Sequence, residues 1–460
     1  MSEKKRRLFG TNGIRGKLNV DMTADLALHI GLALGTYFEG GPIALGTDAR
    51  MGGPMLKQAV ASGLTATGCA VIDVGLAPTP AVEFLVKHYA CRGGVVITAS
   101  HNPPEFNGIK VIDGDGVEFP PEKEIEVEEI FFKQSFKLAP WQRVDTVSQR
   151  TDWLDDYLRN LKSHLKVDLI KQKKFKVLVD PANSVGSLVT PRLLQELGCK
   201  VRTVNGHIDG NFPGRAPEPT SETLRETAEV CKSTKTDLGV AHDGDADRSI
   251  FIDEKGEVIL GDQSLAIIAK GFLQRNPGAA VVTPISSSSI VGEVVGNCGG
   301  KLVLTPVGSI HISRKMMQIK AKLGGEENGG VFYGPHQPVR DGAMSAALIL
   351  EIMAETGKSL SQLVAELPKY YMHKDKIHYP THLKEKLLHR LPEISQGTRV
   401  ETLDGVKIWH EDGGWALIRP SGTEPIYRIF TEGKSPSAAQ ALAEKYKRRL
   451  MGIIQEEESR

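Results

Sequence analysis

Residues 67–75 read Thr-Gly-Cys-Ala-Val-Ile-Asp-Val-Gly, a turn with glycine and cysteine that leads into a short apolar strand. A similar stretch recurs at residues 197–205 (Leu-Gly-Cys-Lys-Val-Arg-Thr-Val-Asn) and, more distantly, at residues 298–304 (Cys-Gly-Gly-Lys-Leu-Val-Leu). Each copy follows a stretch with helical periodicity, and this order of elements is typical of parallel α/β units. Because the turn and strand recur three times, the sequence predicts three related α/β domains.

The chain is long enough for several domains. It has 460 residues, more than one hydrophobic core usually supports, so three or four domains are expected. Beyond about residue 370, Lys-rich helical stretches replace the repeat and indicate a smaller fourth domain. The charged segment 145–174 provides the first boundary. The predicted domains are residues 1–150, 151–255, 256–370 and 371–460.

Charge and hydropathy exclude several classes of partner. Lys and Arg number 57 and Asp and Glu 56, so no global field attracts nucleic acid or an acidic membrane. The basic stretch 4–7 is followed directly by a Gly-Thr-Asn-Gly turn at 10–13, which favours a solvated terminus over a targeting signal. No run approaches the ~18 apolar residues of a membrane helix. We therefore predict a cytoplasmic protein that binds neither nucleic acid nor membrane.

The cysteines do not form a recognisable site. Five are scattered along the chain without a Cys-x-x-Cys pair, which argues against a disulfide framework and against zinc. They are predicted to be small buried apolar side chains. They are Cys69, Cys91, Cys199, Cys231 and Cys298.

Each predicted α/β unit runs from a strand into a polar loop that contains glycine or other small residues. These loops lie at residues 98–103, 241–248 and 324–330. Ligands of open α/β sheets bind outside the carboxyl ends of the strands. The three loops are therefore expected to meet at one cleft.

The second of these loops indicates a metal site. Asp243, Asp245 and Asp247 alternate, so an extended loop points all three carboxylates to one side, where a hard cation such as Mg²⁺ relieves their repulsion. A solvated acidic turn is the simpler alternative. A calcium EF-hand is another, because Glu254 is twelfth from Asp243, but Arg248 stands at the sixth position where that loop needs glycine, and the flanks look like strands.

The first loop carries a candidate nucleophile. Ser100 leaves its strand among small residues, but the Gly-x-Ser-x-Gly elbow of serine hydrolases is absent and His101 is adjacent in sequence, poorly placed to act as the base for Ser100. Taken alone, Ser100 is better interpreted as an ordinary cap or turn hydroxyl. Lys110 is close enough in sequence to share the site, although an isolated lysine is usually solvated.

Two further loops suit a sugar phosphate. Residues 419–423 (Arg-Pro-Ser-Gly-Thr) offer a guanidinium, two hydroxyls and a glycine-freed backbone, which are donors for phosphate oxygens. Glu326 and Asn328, between glycines, can form hydrogen bonds with vicinal hydroxyls. A simple loop and a flexible hairpin are the respective alternatives.

Together these motifs resemble those of the α-D-phosphohexomutase superfamily, over essentially the whole chain and in the same order. The resemblance implies an α/β fold with three related α/β domains and a smaller α+β C-terminal domain similar to the TATA-binding protein, arranged around a central cleft. The matching stretches are 9–16 (Phe-Gly-Thr-Asn-Gly-Ile-Arg-Gly), 98–103, 243–248, 325–329 and 419–425.

The resemblance also implies a reaction. Phosphorylated Ser100 would donate its phosphoryl group to a sugar monophosphate, and the resulting bisphosphate would turn round and return its other phosphoryl group. Lys110 or His101 would handle the hydroxyl proton. The implied catalytic residues are Ser100, His101, Lys110 and Arg15; the implied ligands of one Mg²⁺ are Ser100, Asp243, Asp245 and Asp247; the implied substrate contacts are Arg248, Glu326, Asn328, Arg419, Ser421, Gly422 and Thr423.

The resemblance further implies hexose or hexosamine phosphates as substrates and a sugar 1,6-bisphosphate as activator, and it leaves a homodimer open. Many relatives end the sugar loop in Ser-Gly-His, whereas this chain reads Asn-Gly-Gly at residues 328–330. His336 or Arg340 could supply the missing polar contact, and a surface-loop role for that segment is the alternative.

The whole pattern looks closest to phosphoglucosamine mutases and their archaeal-type relatives, so glucosamine phosphate is the first predicted substrate. Phosphomannomutase/phosphoglucomutase activity is the second. A non-enzymatic calcium- or sugar-phosphate-binding protein is an alternative of another class, but it does not need Ser100 and Lys110 near the aspartates.

Overall fold

The computed structural model describes residues 7–10, 12–395, 399–421 and 425–459. Within these residues the strands form four separate sheets, and each sheet defines one domain. We number the domains I to IV along the chain.

Domain I contains a six-stranded sheet in the order β1-β5-β4-β2-β3-β6. Its strands are β1 (Ile14–Lys17), β2 (Gly41–Thr47), β3 (Cys69–Leu76), β4 (Gly93–Ile97), β5 (Phe106–Asp113) and β6 (Val147–Gln149). Its helices are α1 (Ala24–Phe38), α2 (Gly53–Ala66), α3 (Thr79–His88) and α4 (Pro121–Lys133), and a short 3₁₀ turn covers Trp141–Arg143.

Domain II contains a five-stranded sheet in the order β11-β10-β9-β7-β8. Its strands are β7 (Lys176–Asp180), β8 (Lys200–Thr203), β9 (Leu238–His242), β10 (Ser249–Ile252) and β11 (Val258–Ile259). Its helices are α5 (Trp153–Ser163), α6 (Val167–Lys173), α7 (Gly186–Glu196) and α8 (Arg225–Ser233).

Domain III contains a four-stranded sheet in the order β13-β12-β14-β15. Its strands are β12 (Ala280–Pro284), β13 (Lys301–Thr305), β14 (Leu323–Gly325) and β15 (Val331–Tyr333). Its helices are α9 (Gly261–Arg275), α10 (Ser289–Asn297), α11 (Ser309–Ile319), α12 (Gly342–Thr356) and α13 (Leu360–Ala365).

The first three sheets share one topology, which confirms the predicted repeat. In each, a central strand (β2, β7 or β12) pairs in parallel with the next strand of the chain on one side and with the strand after that on its other side. That third strand then forms an antiparallel pair with its successor, as β4-β5, β9-β10 and β14-β15. The three polar loops predicted from the sequence are the connections inside these three pairs.

Domain IV is an antiparallel sheet in the order β16-β20-β19-β18-β17, which confirms the smaller α+β C-terminal domain. Its strands are β16 (Tyr371–His378), β17 (Val400–Glu401), β18 (Val406–Trp409), β19 (Trp415–Pro420) and β20 (Ile426–Gly433). Its helices are α14 (Lys384–Arg390) and α15 (Pro436–Glu458), with 3₁₀ turns at Thr381–Leu383 and Leu391–Ser395.

One hydrophobic cluster extends through domains I, II and III. Tyr157 of α5 and Val82 of α3 belong to it, together with Leu265 of α9 and most of α12. Helix α12 is buried on nearly every side because its sequence is apolar all round. Burying one large aliphatic side chain contributes about 1.5–3 kcal/mol, so this shared core fixes the three domains relative to one another.

Domain IV has a separate core between its sheet and its helices. It joins domain III through a small cluster in which Ile285 packs with Trp415, Leu417 and Phe430. Glu432 strengthens this contact, since it accepts hydrogen bonds from the backbone N–H of Ser289 at 3.0 Å and from Trp415 Nε1 at 2.7 Å.

Four of the five cysteines are buried as predicted, and Cys298 is partly exposed; all five are free thiols. In the described part of the chain, no helix combines the length and apolarity needed to cross a bilayer. The domain boundaries drawn from the sequence stay predictions.

Candidate active site

The loop between β4 and β5 brings Ser100 against domain II. Ser100 is fully buried, and its backbone adopts a left-handed conformation with φ of +52°. Its Oγ donates a hydrogen bond to Asp243 Oδ2 at 2.8 Å, and Nδ1 of His101 lies 3.4 Å from the same oxygen. The polar loops of domains I and II therefore meet, as predicted from their places at the strand ends.

The three aspartates of the β9–β10 loop form a buried cluster. Asp243, Asp245 and Asp247 are inaccessible to solvent, and one carboxylate oxygen from each lies within 4.8 Å of the others. Oδ1 of Asp245 and Oδ1 of Asp247 have no hydrogen-bond partner. Buried oxygens of this kind are costly unless a cation coordinates them, so the donor set fits a hard divalent ion.

The electrostatics of the cluster agree with a cation site. Burial, together with the neighbouring charges of Asp247 and Asp245, raises the pKa of Asp243 to about 8. The calcium EF-hand alternative fails, because strands flank the loop on both sides. Glu254 instead caps α13, where it accepts hydrogen bonds from the hydroxyls of Ser359 and Ser361 at 2.6 and 2.5 Å.

Lys110 of β5 reaches the same cluster. Its Nζ donates to Asp245 Oδ2 at 2.6 Å and to Asp247 Oδ2 at 3.1 Å. Burial acts to lower the pKa of Lys110, but the two carboxylates outweigh burial and hold that pKa above its ordinary value. The two carboxylates therefore favour the charged form of Lys110.

Two arginines and a histidine surround Ser100. Arg15 donates from Nη1 to Asn102 Oδ1 at 2.7 Å, and burial lowers the pKa of Arg15 to about 10. Arg248 Nε lies 3.8 Å from Asp243 Oδ2 and 3.6 Å from Asp247 Oδ1. The charge of Arg248, then burial, then Arg15 hold the pKa of His101 far below its ordinary value, so its imidazole is neutral.

The sugar loop lies between β14 and β15. Glu326 is almost completely buried, and burial raises its pKa although the nearby charge of Arg340 opposes the shift. Asn328 shapes the loop, because its Oδ1 accepts a hydrogen bond from the backbone N–H of Gly330 at 3.1 Å. Lys374 of β16 pairs with Glu327 at 3.5 Å and so brings domain IV against this loop.

Arg340 joins the loops of three domains. Its Nη2 lies 2.7 Å from Asp247 Oδ2 of domain II and 3.5 Å from Glu118 Oε1 of domain I. Its Nη1 lies 3.4 Å from Glu326 Oε2 of domain III. A Cβ at Gly330 would lie only 2.5 Å from Cδ of Arg340, so Arg340 occupies the space beside the position where many relatives carry histidine.

His336, the other candidate for that contact, points elsewhere. Its Nε2 lies 3.0 Å from Asp341 Oδ2 and its Nδ1 lies 2.6 Å from Asn160 Oδ1. Tyr157 also donates to Asp341 Oδ2, at 2.5 Å. His336 therefore belongs to a buried polar network behind the site, while Arg340 lies beside the sugar loop.

The predicted phosphate loop belongs to domain IV and is described in part. Arg419 donates from Nε to Asp404 Oδ2 at 3.0 Å, and the same oxygen accepts the backbone N–H of Val307 in domain III at 2.9 Å. Ser421 is buried. The predicted contacts Gly422 and Thr423 lie outside the described residues.

Sequence reasoning missed several residues of the site. Thr79, at the start of α3, donates to Asp245 Oδ2 at 2.5 Å, and Glu118 contacts Arg340 as described above. Asp48 and Arg50 follow β2 and contact the Ser100 loop. A signal existed for this pair, because polar residues directly after a central parallel strand lie at the ligand-binding edge of the sheet. Nothing local in the sequence marks Thr79 or Glu118.

Four family models match consecutive parts of the chain. They are phosphoglucomutase/phosphomannomutase alpha/beta/alpha domain I at residues 6–138, domain II at 155–256, domain III at 260–371 and the C-terminal domain at 373–448.

Full-length relatives agree with these matches. The chain is 44% identical over 445 residues to the phosphoglucomutase/phosphomannomutase of Thermococcus kodakarensis, which covers 95% of this chain and 97% of the relative. It is 46% identical over 453 residues to the phosphoglucosamine/phosphogalactosamine mutase of Sulfurisphaera tokodaii, with 97% and 99% covered.

A solved structure also resembles the chain over its length. A phosphoglucomutase/phosphomannomutase family protein from Burkholderia thailandensis superposes with a TM-score of 0.87 at 28% identity and covers 97% of each chain. Sequence, domain order and fold lead to one conclusion: this chain belongs to the phosphoglucomutase/phosphomannomutase family of the α-D-phosphohexomutase superfamily.

Proposed function

We propose that this chain interconverts the 6-phosphate and 1-phosphate of glucosamine through phosphorylated Ser100 and a sugar 1,6-bisphosphate. One observation carries the proposal: the Ser100 hydroxyl lies 2.8 Å from a carboxylate of a buried, incompletely hydrogen-bonded aspartate cluster. A nucleophilic hydroxyl beside a divalent-cation site is the arrangement that phosphoryl transfer needs.

Charge neutralisation by the chain's own residues supports the transfer. Arg15 and Arg248 would bind the oxygens of a phosphoryl group on Ser100, since Arg15 contacts Asn102 of the same loop and Arg248 lies 3.8 Å from Asp243. As the bond from phosphorus to Ser100 Oγ breaks and the bond to the sugar oxygen forms, the sugar hydroxyl loses a proton. His101, whose Nδ1 lies 3.4 Å from Ser100 Oγ, or Lys110, which contacts Asp245 of the same cluster, would accept it.

Asp243, Asp245 and Asp247, with an oxygen on Ser100, would hold one Mg²⁺. When bound there, Mg²⁺ supplies a positive charge that neutralises the transferring phosphoryl group. The site residues themselves stay predictions: Glu326 and Asn328 would bind the sugar hydroxyls, and the loop of Arg419, Ser421, Gly422 and Thr423 would bind the phosphate that does not react.

Glucosamine phosphate is the first substrate because the relative from Sulfurisphaera tokodaii is named as a hexosamine phosphate mutase. Mannose and glucose phosphates are the second candidates, since the relative from Thermococcus kodakarensis is named for them. A purely binding role is disfavoured, because it does not require Ser100 and Lys110 to touch the aspartate cluster. A bisphosphate activator and a cytoplasmic location are further parts of the proposal, and a homodimer stays open.

The test is to incubate the protein with Mg²⁺, a trace of sugar 1,6-bisphosphate and glucosamine 1-phosphate, and to follow the 6-phosphate by ³¹P NMR. We expect conversion by the wild type and by a Ser62→Ala control, which alters an exposed helical serine. Ser100→Ala is expected to convert nothing. Failure of the wild type with glucosamine, mannose and glucose phosphates alike would overturn the proposal.

A further inference from the structure

Arg50 forms hydrogen bonds with the backbone of the Ser100 loop, which is the connection between β4 and β5. The arginine is 1% exposed, and its guanidinium lies under the loop and donates to four backbone carbonyls. The acceptors are Ser100 at 2.6 Å, Asn102 at 2.5 Å, Pro103 at 2.7 Å and Phe106 at 3.0 Å. Four carbonyls on one planar fork leave this loop little freedom to shift.

Asp48 holds the same loop from its other side. Its Oδ1 accepts the backbone N–H of Arg50 at 2.9 Å, and its Oδ2 accepts the hydroxyl of Thr98 at 2.5 Å. The Thr98 oxygen in turn accepts the backbone N–H of Ser100 at 2.8 Å. Both backbone polar groups of Ser100 are thus fixed, which holds the residue in its left-handed conformation.

Domain II has a similar Asp–Arg arrangement beside the metal loop, which is the β9–β10 loop that carries Asp243, Asp245 and Asp247. Asp180 ends β7, the strand that corresponds to β2 in the repeat. Arg215 donates from Nε to Asp180 Oδ2 at 2.9 Å and from Nη2 to the carbonyl of His242 at 2.6 Å. His242 directly precedes Asp243. Thr227 donates to the same Asp180 Oδ2 at 2.5 Å, and Asp180 Oδ1 accepts the backbone N–H of Ala182 at 3.0 Å, so both oxygens of the carboxylate are held.

In domain III, whose residues are all described, no such Asp–Arg pair lies at the end of β12. The hydroxyl of Thr283, in the corresponding strand β12, forms neutral hydrogen bonds with the carbonyl of Gly325 at 3.0 Å, next to the sugar loop, and with the hydroxyl of Ser287 at 2.5 Å. The Ser100 loop and the aspartate loop are therefore each held by a buried Asp–Arg pair at the end of the central strand, Asp48–Arg50 and Asp180–Arg215. The sugar loop is held differently, by Arg340 and Lys374, which pair with Glu326 and Glu327.

We propose that Arg50 and Arg215 are positioning residues for phosphoryl transfer: Arg50 fixes Ser100 in line with its acceptor, and Arg215 fixes the metal-binding aspartates. The inference rests on the proposed function.

Arg50→Lys and Arg215→Lys test the assignment, because lysine keeps the charge but lacks the planar fork. The control is Arg92→Lys, a more exposed arginine of domain I that donates to the carbonyl of Phe38, outside the site. The readouts are kcat, KM, the rate at which glucose 1,6-bisphosphate phosphorylates Ser100 by intact mass, and Mg²⁺ affinity by calorimetry.

For Arg50→Lys we expect kcat and the Ser100 phosphorylation rate to fall by roughly 100-fold, because moving a reacting group by about 1 Å slows a reaction by about that factor. The KM and the Mg²⁺ affinity of this variant should change by less than about threefold. For Arg215→Lys we expect Mg²⁺ affinity to fall by about 10- to 100-fold, as for other residues that orient metal ligands. The control should match the wild type in every readout.

Thr98→Val and Thr227→Val give a second, milder pair that removes one hydroxyl from each device, for use if a lysine variant does not fold. The same split between phosphorylation rate and Mg²⁺ affinity is expected. Wild-type phosphorylation by folded Arg50→Lys, or equal loss of Mg²⁺ affinity in both lysine variants, would overturn the assignment. An inactive wild type would instead refute the proposed function, so the two failures are distinguishable.

Discussion

Arg340 Nη2 lies 2.7 Å from Asp247 Oδ2, although the arginine belongs to domain III and the aspartate to domain II. The same guanidinium contacts Glu118 of domain I and Glu326 of the sugar loop. One buried cation thus faces carboxylates from three domains. Arg340 therefore links the metal loop of domain II to the sugar loop of domain III. The reaction in the cleft requires these two loops to lie close together.

We predict that Arg340→Met destabilises the protein by roughly 3–5 kcal/mol, because it removes a buried cation that carboxylates of three domains share. Arg340→Lys should fold better but lower kcat/KM by at least about 10-fold, since a point charge cannot serve three partners in separate directions. Urea unfolding and steady-state kinetics measure the two effects. Arg275→Lys, whose arginine pairs with Glu351 and Glu355 within domain III, is the control. Wild-type stability of Arg340→Met would contradict the prediction.

Ser100→Ala should abolish mutase turnover while leaving the fold intact, because no binding interaction replaces a covalent carrier. Intact-mass spectrometry should find part of the purified wild type heavier by one phosphate, and the alanine variant should lack this species. The Ser62→Ala variant serves again as the control. Full turnover by Ser100→Ala would exclude the phosphoserine mechanism.

Metal dependence provides a third prediction. Mg²⁺ should support turnover and Ca²⁺ should support it poorly, because the aspartates and a phosphoryl oxygen must share a small octahedral ion. Asp245→Asn should raise the Mg²⁺ concentration needed for half-maximal rate, since it removes a charge from the cluster. Turnover is measured across a Mg²⁺ titration after treatment with chelator. Chelated protein that keeps its original rate would be inconsistent with the metal assignment.

Substrate choice should be broad. The intermediate binds in two orientations, so the loss of one hydroxyl or amine contact costs only a hydrogen bond or two, about 0.5–1.5 kcal/mol each. We expect glucosamine, mannose and glucose phosphates all to react, with glucosamine phosphate preferred. Arg419→Ala should lower kcat/KM for all three alike. The prediction fails if only one sugar reacts, or if the variant affects one sugar alone.

Asp262, in the first turn of α9, predicts a pH dependence of stability. Burial, followed by the nearby charge of Glu327, raises the pKa of Asp262 to about 7. Because the folded state binds this proton more tightly than the unfolded state, the resulting stabilisation is complete below about pH 4 and is lost as the pH rises through 7. The loss amounts to roughly 4 kcal/mol at most.

Asp262→Asn should remove this contribution, so the stability difference between wild type and variant should shrink or reverse between pH 4 and 7. Thermal unfolding across that range measures it. Asp168→Asn, at an exposed carboxylate in the first turn of α6, should leave the wild-type slope unchanged. Parallel pH profiles for wild type and Asp262→Asn would count against the raised pKa.

The sequence by itself determined the α/β repeat, the fourth domain and the loops that carry Ser100, Asp243 and Glu326. These follow from local patterns: hydrophobic periodicity specifies the strands, and the ends of parallel strands place polar loops at one edge of each sheet. The resemblance to the α-D-phosphohexomutase superfamily indicated the reaction class, because the motifs and their order along the chain are visible in the sequence alone.

Only the tertiary structure decided which charged side chains meet. Ser100 and Asp243 are 143 residues apart in sequence, and the partners of Arg340 come from three domains. The sequence does not reveal the partners of Arg50, Arg215 and Arg340, because an arginine's role depends on the acceptors that folding brings to it. Burial then makes those contacts strong, since ion pairs and hydrogen bonds gain strength where water is excluded.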